Sequence, residues 1–227
     1  WNKMLSKESL QFLADLKENN NRDWFLTQKK RYEAYKADYH QLIEKILEAM
    51  KPHDDSLAML EVKHCTFRIN RDIRFSKDKS PYKTHMGIWL KSGSLNNEAP
   101  GYYIQIDPEK SFFGGGLYCP MPDQLQKIRR EINFFYDDLQ EIVNAPKFTE
   151  TFGSLTRDEN TTLKNPPRGF EKNHPGIDFL KLKSFTAVNH FDTKLATQKD
   201  FVSQISQKLI LLKPLNDYLN RALSSEE

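Results

Sequence analysis

Apolar residues recur in steps of three and four along the first fifty positions, a helical period. Leu10, Leu13 and Leu16, with Phe12 beside them, form one stripe, and Ser6 stands where an N-cap would accept from orphan N–H groups. The spacing predicts a helix from Ser6 to about Lys17, closed by Asn19-Asn20-Asn21, because Asn tolerates the left-handed conformation at a helix end. A second, longer helix is predicted from Arg22 or Asp23 to about Met50, ended by Lys51-Pro52. Its apolar positions are Phe25, Tyr32, Tyr35, Tyr39, Leu42, Ile43, Ile46, Leu47 and Met50, an amphipathic face whose tyrosine stripe reads as core. Trp24, at the junction of the two helices, reads as a packing residue.

The period shortens in the middle third. Val62 to Ile69 alternates loosely, Met86 to Leu90 is apolar and strand-like, and Gly101 to Ile106 reads as a strand. Asp107-Pro108-Glu109-Lys110 is a turn, and Ser111 to Tyr118 returns as the partner strand of a hairpin. Lys91 to Pro100 is a polar loop. An antiparallel sheet of about four or five strands follows from this spacing of strands and turns.

A helix is expected from Pro122-Asp123 to Phe135, with Leu125, Ile128 and Ile132 inward and a further piece carrying Leu139, Ile142 and Val143. Ala145 to Pro175 reads as irregular, and Phe179 to Val188 as a strand or a short helix. Thr197-Gln198-Lys199-Asp200 resembles a capping box ahead of a terminal helix with Phe201, Ile205, Leu209 and Leu212 on its face. Pro214 interrupts that helix, and Ser224 to Glu227 should fray. The fold class is α+β: a mostly antiparallel sheet flanked by an N-terminal helical pair and C-terminal helices, in a single domain over residues 1–227.

Composition adds little to this and removes some functions. Apolar residues are 38 % of the 227, and aromatics, at 12 %, supply the bulk for a core. No run approaches the roughly 18 apolar residues of a membrane-spanning helix. No signal-peptide pattern is present, so the expected location is cytoplasmic and no membrane partner is expected. Cys65 and Cys119 lie in apolar, strand-like contexts and read as buried free thiols, with no CxxC spacing.

Charge changes the picture locally. The whole chain carries a formal +3, but between Glu61 and His85 seven bases (Lys63, Arg68, Arg71, Arg74, Lys77, Lys79, Lys83) face three acids (Glu61, Asp72, Asp78), a local +4. The rest of the chain is close to neutral. Arginine offers a planar fork of donors matched to carboxylate or phosphate. The segment is therefore an anion site or a lattice of structural ion pairs, in which Asp72 and Asp78 hold the arginines. Arg68, Arg71, Arg74, Lys77, Lys79 and Lys83 are the candidate ligand-binding cations, and Tyr82 the candidate hydroxyl or stacking face. Asp72 and His85 are the candidate general bases if the same pocket is catalytic. Three functions stay open: binding of a phosphate- or carboxylate-bearing small molecule, an enzyme acting on such a molecule, and a nucleic-acid or protein-interaction module with an exposed basic surface.

Other motifs are weaker. Gly114-Gly115-Gly116 belongs to no GxGxxG or GK[ST] loop and reads as a bulge or a close backbone approach, leaving room for a ligand on the sheet. His40, His53, His64, His85, His174 and His190 are scattered without HxH, HExxH or Cys/His spacing, so no metal site is expected. Neither GxSxG nor SxxK is present. No motif specifies a cofactor or an oligomeric state.

The run from Arg68 through Arg71-Asp72, Arg74-Phe75-Ser76-Lys77-Asp78-Lys79-Ser80-Pro81-Tyr82-Lys83-Thr84-His85 resembles the signature of the DUF2461 family. The likeness extends to Asn20-x-Arg22-x-Trp24-Phe25, Gly101-Tyr102-Tyr103, Gly114-Gly115-Gly116-x-Tyr118-x-Pro120, Ile128-Arg129 and Pro167-Arg168-Gly169-Phe170 with His174-Pro175, nearly the whole chain. Asn165, before Pro166-Pro167, departs from the basic residue expected there. The resemblance implies a bacterial protein of about this length. It implies no activity, substrate or catalytic residues, because none is established for the family.

Overall fold

The computed structural model describes residues 4–95 and 98–226. Expectations that touch Asn96 and Asn97 in the polar loop, or Glu227 at the C-terminus, lie outside the described residues. The elements are α1 (Lys7–Glu18), α2 (Arg22–Thr27), α3 (Lys29–Met50), α4 (Val62–Cys65), β1 (Met86–Lys91), β2 (Gly101–Ile106), β3 (Ser111–Leu117), α5 (Pro122–Asn144), α6 (Pro146–Phe152), α7 (Ile177–Leu180), β4 (Phe185–Phe191), α8 (Phe201–Leu209) and α9 (Lys213–Ser224). The four strands form one antiparallel sheet in the order β1-β2-β3-β4. The fold is the expected α+β.

The described chain groups into two compact units, one of residues 4–90, 103–113 and 190–206, the other of 91–95, 98–102, 114–189 and 207–226. In the first, Ser6 caps α1, its side chain accepting from the Ser9 N–H at 3.1 Å. The buried Asp38 carboxylate of α3 accepts from the Ser6 N–H at 3.1 Å and the Ser9 hydroxyl at 2.7 Å, which ties the start of α1 to α3. Phe12 sits within 6.4 Å, ring centre to ring centre, of Trp24, Phe25, Tyr32 and Tyr35, so the helix junction is an aromatic core.

The long helix expected from residue 22 to 50 is two helices. Asn21 caps α2 through the Trp24 N–H at 2.9 Å, and the chain leaves helical geometry at Gln28 (φ −104, ψ 17). Thr27 contributes to that stop: its hydroxyl donates back to the Trp24 carbonyl at 2.6 Å, competing with the helical ladder. The loose alternation at 62–69 is likewise no strand. The Glu61 N–H donates to His64 Nδ1 at 3.0 Å, which closes a single helical turn, α4, with Cys65 buried inside it.

In the second unit, α5 and α9 pack together and α5 bends at Phe135 (φ −131, ψ 38), the boundary between its two expected pieces. The buried guanidinium of Arg129 donates to the Leu180 carbonyl at 2.9 Å and the Leu182 carbonyl at 3.2 Å. It closes the turn between α7 and β4 and is part of the framework. Residues read as irregular include a helix, α6, opened by Pro146 at its first position and burying Phe148 and Phe152 one turn apart. The segment 179–188 divides between the end of α7 and the start of β4. Cys119, expected buried, is exposed: it takes a left-handed conformation (φ 45) just after β3, its N–H bonded to Ser184 Oγ at 2.8 Å.

The glycine triplet leaves no room for a ligand. A Cβ on Gly114 would stand 2.3 Å from the Ala187 carbonyl oxygen, and one on Gly115 2.2 Å from that of Gly101. Gly116 has φ +101, and its Cβ would lie 2.0 Å from the Phe185 oxygen. Neighbouring backbone fills the space, and glycine is required for that reason.

Candidate functional site

Residues 67–85 form an arm whose two sides meet at one antiparallel bridge, Asn70 with Tyr82. The Arg71 N–H donates to the Pro81 carbonyl at 2.9 Å and the Lys83 N–H to the Ile69 carbonyl at 2.8 Å. Asn20 anchors the arm to the helix junction: its amide donates to the Tyr82 carbonyl at 2.9 Å and accepts from the Tyr82 N–H at 3.1 Å. Both backbone groups of Tyr82 are thus paired by a single side chain. The Tyr82 ring is buried and stacks on Phe25 with centroids 4.1 Å apart, so its face is not open to a ligand.

The arm divides the expected cations into two groups. Toward its tip Arg71, Arg74 and Lys79 are held by the arm itself. Arg71 donates to Asp78 Oδ2 at 2.9 Å and to the Ser80 carbonyl at 2.8 Å. Arg74 grips Asp72 through two bonds of 3.0 and 2.7 Å. That contact keeps the Asp72 carboxyl below its ordinary range, while the Ser80 hydroxyl and N–H, with Arg71, do the same for Asp78. Lys79 donates to the Ile73 carbonyl at 2.9 Å, and Lys77 is exposed. Asp72 and Asp78 therefore act as the local partners of two arginines.

At the base of the arm the arrangement differs. Arg68, Phe67, Ile69, Lys83 and His85 line a pocket of about 290 Å³ with Tyr32, Tyr35, Lys36, Tyr39 and His40 of α3, Thr66, and Met86 and Gly87 of β1. None of these described lining residues is acidic. Lys83 donates to the Arg68 carbonyl at 2.8 Å and stands 5.4 Å from the centre of the Phe67 ring. Burial, then the Arg68 guanidinium, lowers its ammonium pKa. Lys36 lies 5.3 Å from the Tyr32 ring centre and 3.5 Å from Glu33.

His85 is half-buried. Desolvation pushes its pKa below the ordinary 6.5; the Asp107 carboxylate opposes this and the Lys83 ammonium adds to it. The Tyr39 hydroxyl forms the floor: it donates to the Gly87 carbonyl and accepts from the Phe67 N–H at 3.1 Å. Burial raises its pKa to about 12, so it stays neutral and fixed in that role. His174, also half-buried, has both ring nitrogens within hydrogen-bond distance of backbone, 3.2 Å from the Asn133 carbonyl and 2.9 Å from the Gly176 N–H.

Of the residues singled out from sequence, the pocket brings together Arg68, Lys83 and His85, and it does not include Asp72, Arg71, Arg74, Lys77, Lys79 or Tyr82. Sequence reasoning missed Lys36, His40 and the pocket edge of the tyrosine stripe. The available signal was chemical: a helix meant only for core would use leucine where α3 has three tyrosines, and Lys36 and His40 flank them one turn apart.

A family model described as "Conserved hypothetical protein (DUF2461)" matches residues 8–218. Comparison with curated proteins and with solved structures returns no match.

Proposed function

We propose, for a chain that belongs to the DUF2461 family of conserved hypothetical proteins, that it binds a small phosphate- or carboxylate-bearing molecule in the pocket at the base of the 67–85 arm. One observation carries this: Arg68, Lys83, Lys36, His40 and His85 converge on a pocket of about 290 Å³ with no acidic residue among its described lining. The Arg68 guanidinium disfavours the Lys83 ammonium beside it, and an anion bound there offsets that cost. The aromatic walls of Tyr32, Tyr35 and Phe67 suit a ligand with an apolar or planar body beside its charge. If the site is also catalytic, His85 is its proton carrier, since Asp72 stands away from the pocket with its carboxylate occupied by Arg74.

A thermal-melt screen with phosphorylated and carboxylated metabolites at low ionic strength tests the reading. A ligand at one hundred times its Kd adds about 2.7 kcal/mol to the native state. For a chain of this size that is a rise of roughly 5–10 °C. A screen in which no anion raises the melting temperature, while neutral analogues behave identically, would count against the pocket.

A further inference from the structure

We propose that the tip of the arm is a second binding site, separate from the pocket, at which Phe75 stacks on a base of single-stranded nucleic acid and Lys77 and Lys79 meet the adjoining phosphates. Phe75 is 95 % exposed. A lone exposed aromatic needs no explanation, but this one stands on a turn whose backbone is tied down. Arg71 ties the two sides of the tip through Asp78 and the Ser80 carbonyl, and Lys79 crosses it to the Ile73 carbonyl at 2.9 Å. The Ser76 N–H closes the turn onto that same carbonyl at 3.3 Å.

The Arg74 guanidinium, locked by Asp72, stands 5.8 Å from the centre of the Phe75 ring. The ring is therefore associated with a fixed cation while nearly all of its surface stays open to solvent. A turn ordered before binding loses little backbone entropy when a base settles on the ring it carries. Among the described residues neither Lys77 nor Lys79 is within 4.0 Å of a carboxylate, so both ammonium charges remain uncancelled.

The chemistry favours a nucleic acid strand over a lipid surface. One ring buries little apolar area in a bilayer, and the exposed acids Asp72 and Asp78 beside it would have to approach the interface as well. Stacking on a base needs only a ring face, and every base has one. A duplex keeps its bases paired and stacked, so the strand must be single.

Fluorescence anisotropy of a labelled oligothymidylate at low ionic strength tests the proposal on the full chain. The oligonucleotide is expected to bind, with affinity falling by about 0.7 log unit per log unit of salt for each phosphate neutralised. Phe75→Ala should weaken binding roughly tenfold or more, Phe75→Trp should restore it, and an abasic strand should bind the wild type as weakly as thymidylate binds Phe75→Ala. Because Phe75 lies outside the core, its alanine variant should melt with the wild type. The proposal is overturned by no anisotropy change at low salt, by equal affinity of wild type and Phe75→Ala, or by equal affinity for duplex. It is also overturned if anionic phospholipid vesicles, and not the oligonucleotide, capture the wild type and release Phe75→Ala. None of these outcomes bears on the pocket, whose described lining does not include Phe75.

Discussion

For its three arginines and Lys83 the basic cluster divides residue by residue, by whether each has a carboxylate within bonding distance. Arg71 and Arg74 have Asp78 and Asp72; Arg68 and Lys83 have each other's neighbourhood and the pocket. The sequence offered both readings; the ion-pair lattice is present at the tip of the arm, and the anion site is the proposal for its base. Which arginine would meet which acid was not legible, because it depends on the turn at the tip and not on spacing.

His85 gives this scale its pH dependence. Above pH 6.5 its ring is neutral in both the folded and unfolded chain. As pH falls past 6.5 the unfolded chain takes up the proton first, so stability declines until the folded-state ring titrates at its lowered pKa. Denaturant unfolding between pH 7.5 and 5 should therefore show a steeper loss in the wild type than in His85→Gln; identical slopes would remove the assignment. On the proposed anion pocket, the same linkage predicts that anion affinity rises as His85 becomes protonated. Tyr39 is the other decisive residue. Tyr39→Phe strands the Phe67 N–H and the Gly87 carbonyl, and should cost about 1–3 kcal/mol in chemical denaturation. A loss under a few tenths would mean that water replaces the hydroxyl.

Elements were legible where hydrophobic period and a terminus signal agreed. Ser6 before the leucine stripe, Pro122 before Leu125 and Ile128, and the 107–110 turn between two strands each gave both cues, and each element is present. Failures came where a side chain competed locally with the period. Thr27 bonding back to Trp24 ended a helix that the apolar pattern continues, and Glu61 with His64 made a helical turn of a loosely alternating stretch. In α6 the cues were present in Pro146, Phe148 and Phe152, but the run is too short for periodicity to stand out. The glycine triplet was read correctly as a close approach and wrongly as ligand space, because sequence does not tell which group does the approaching. Gly116→Ala tests the observed reason. With φ +101 and a carbonyl oxygen 2.0 Å from the added carbon, the variant should be destabilised by more than about 2 kcal/mol or fail to accumulate folded. A variant that melts with the wild type would show that the strand shifts freely.

At the scale of the whole molecule, family membership over residues 8–218 and an α+β fold with a four-stranded antiparallel sheet are firm, and no helix among the described residues is long and apolar enough to cross a membrane. The chain's near-neutral total conceals a charge distribution concentrated in one arm. The pocket was invisible to sequence because its walls come from residues far apart in the chain, α3 at 32–40 against residues 66–69 and 83–87 at the base of the arm and the start of β1. Calorimetric titration of the anion that most raises the melting temperature, into the wild type, into Arg68→Ala/Lys83→Ala and into Arg74→Ala, tests the anion pocket most directly. One equivalent should bind the wild type and Arg74→Ala alike, and the double variant should lose at least tenfold in affinity, as loss of charge-assisted hydrogen bonds demands. Undiminished binding by the double variant, or a loss confined to Arg74→Ala, would place the anion elsewhere and contradict the pocket.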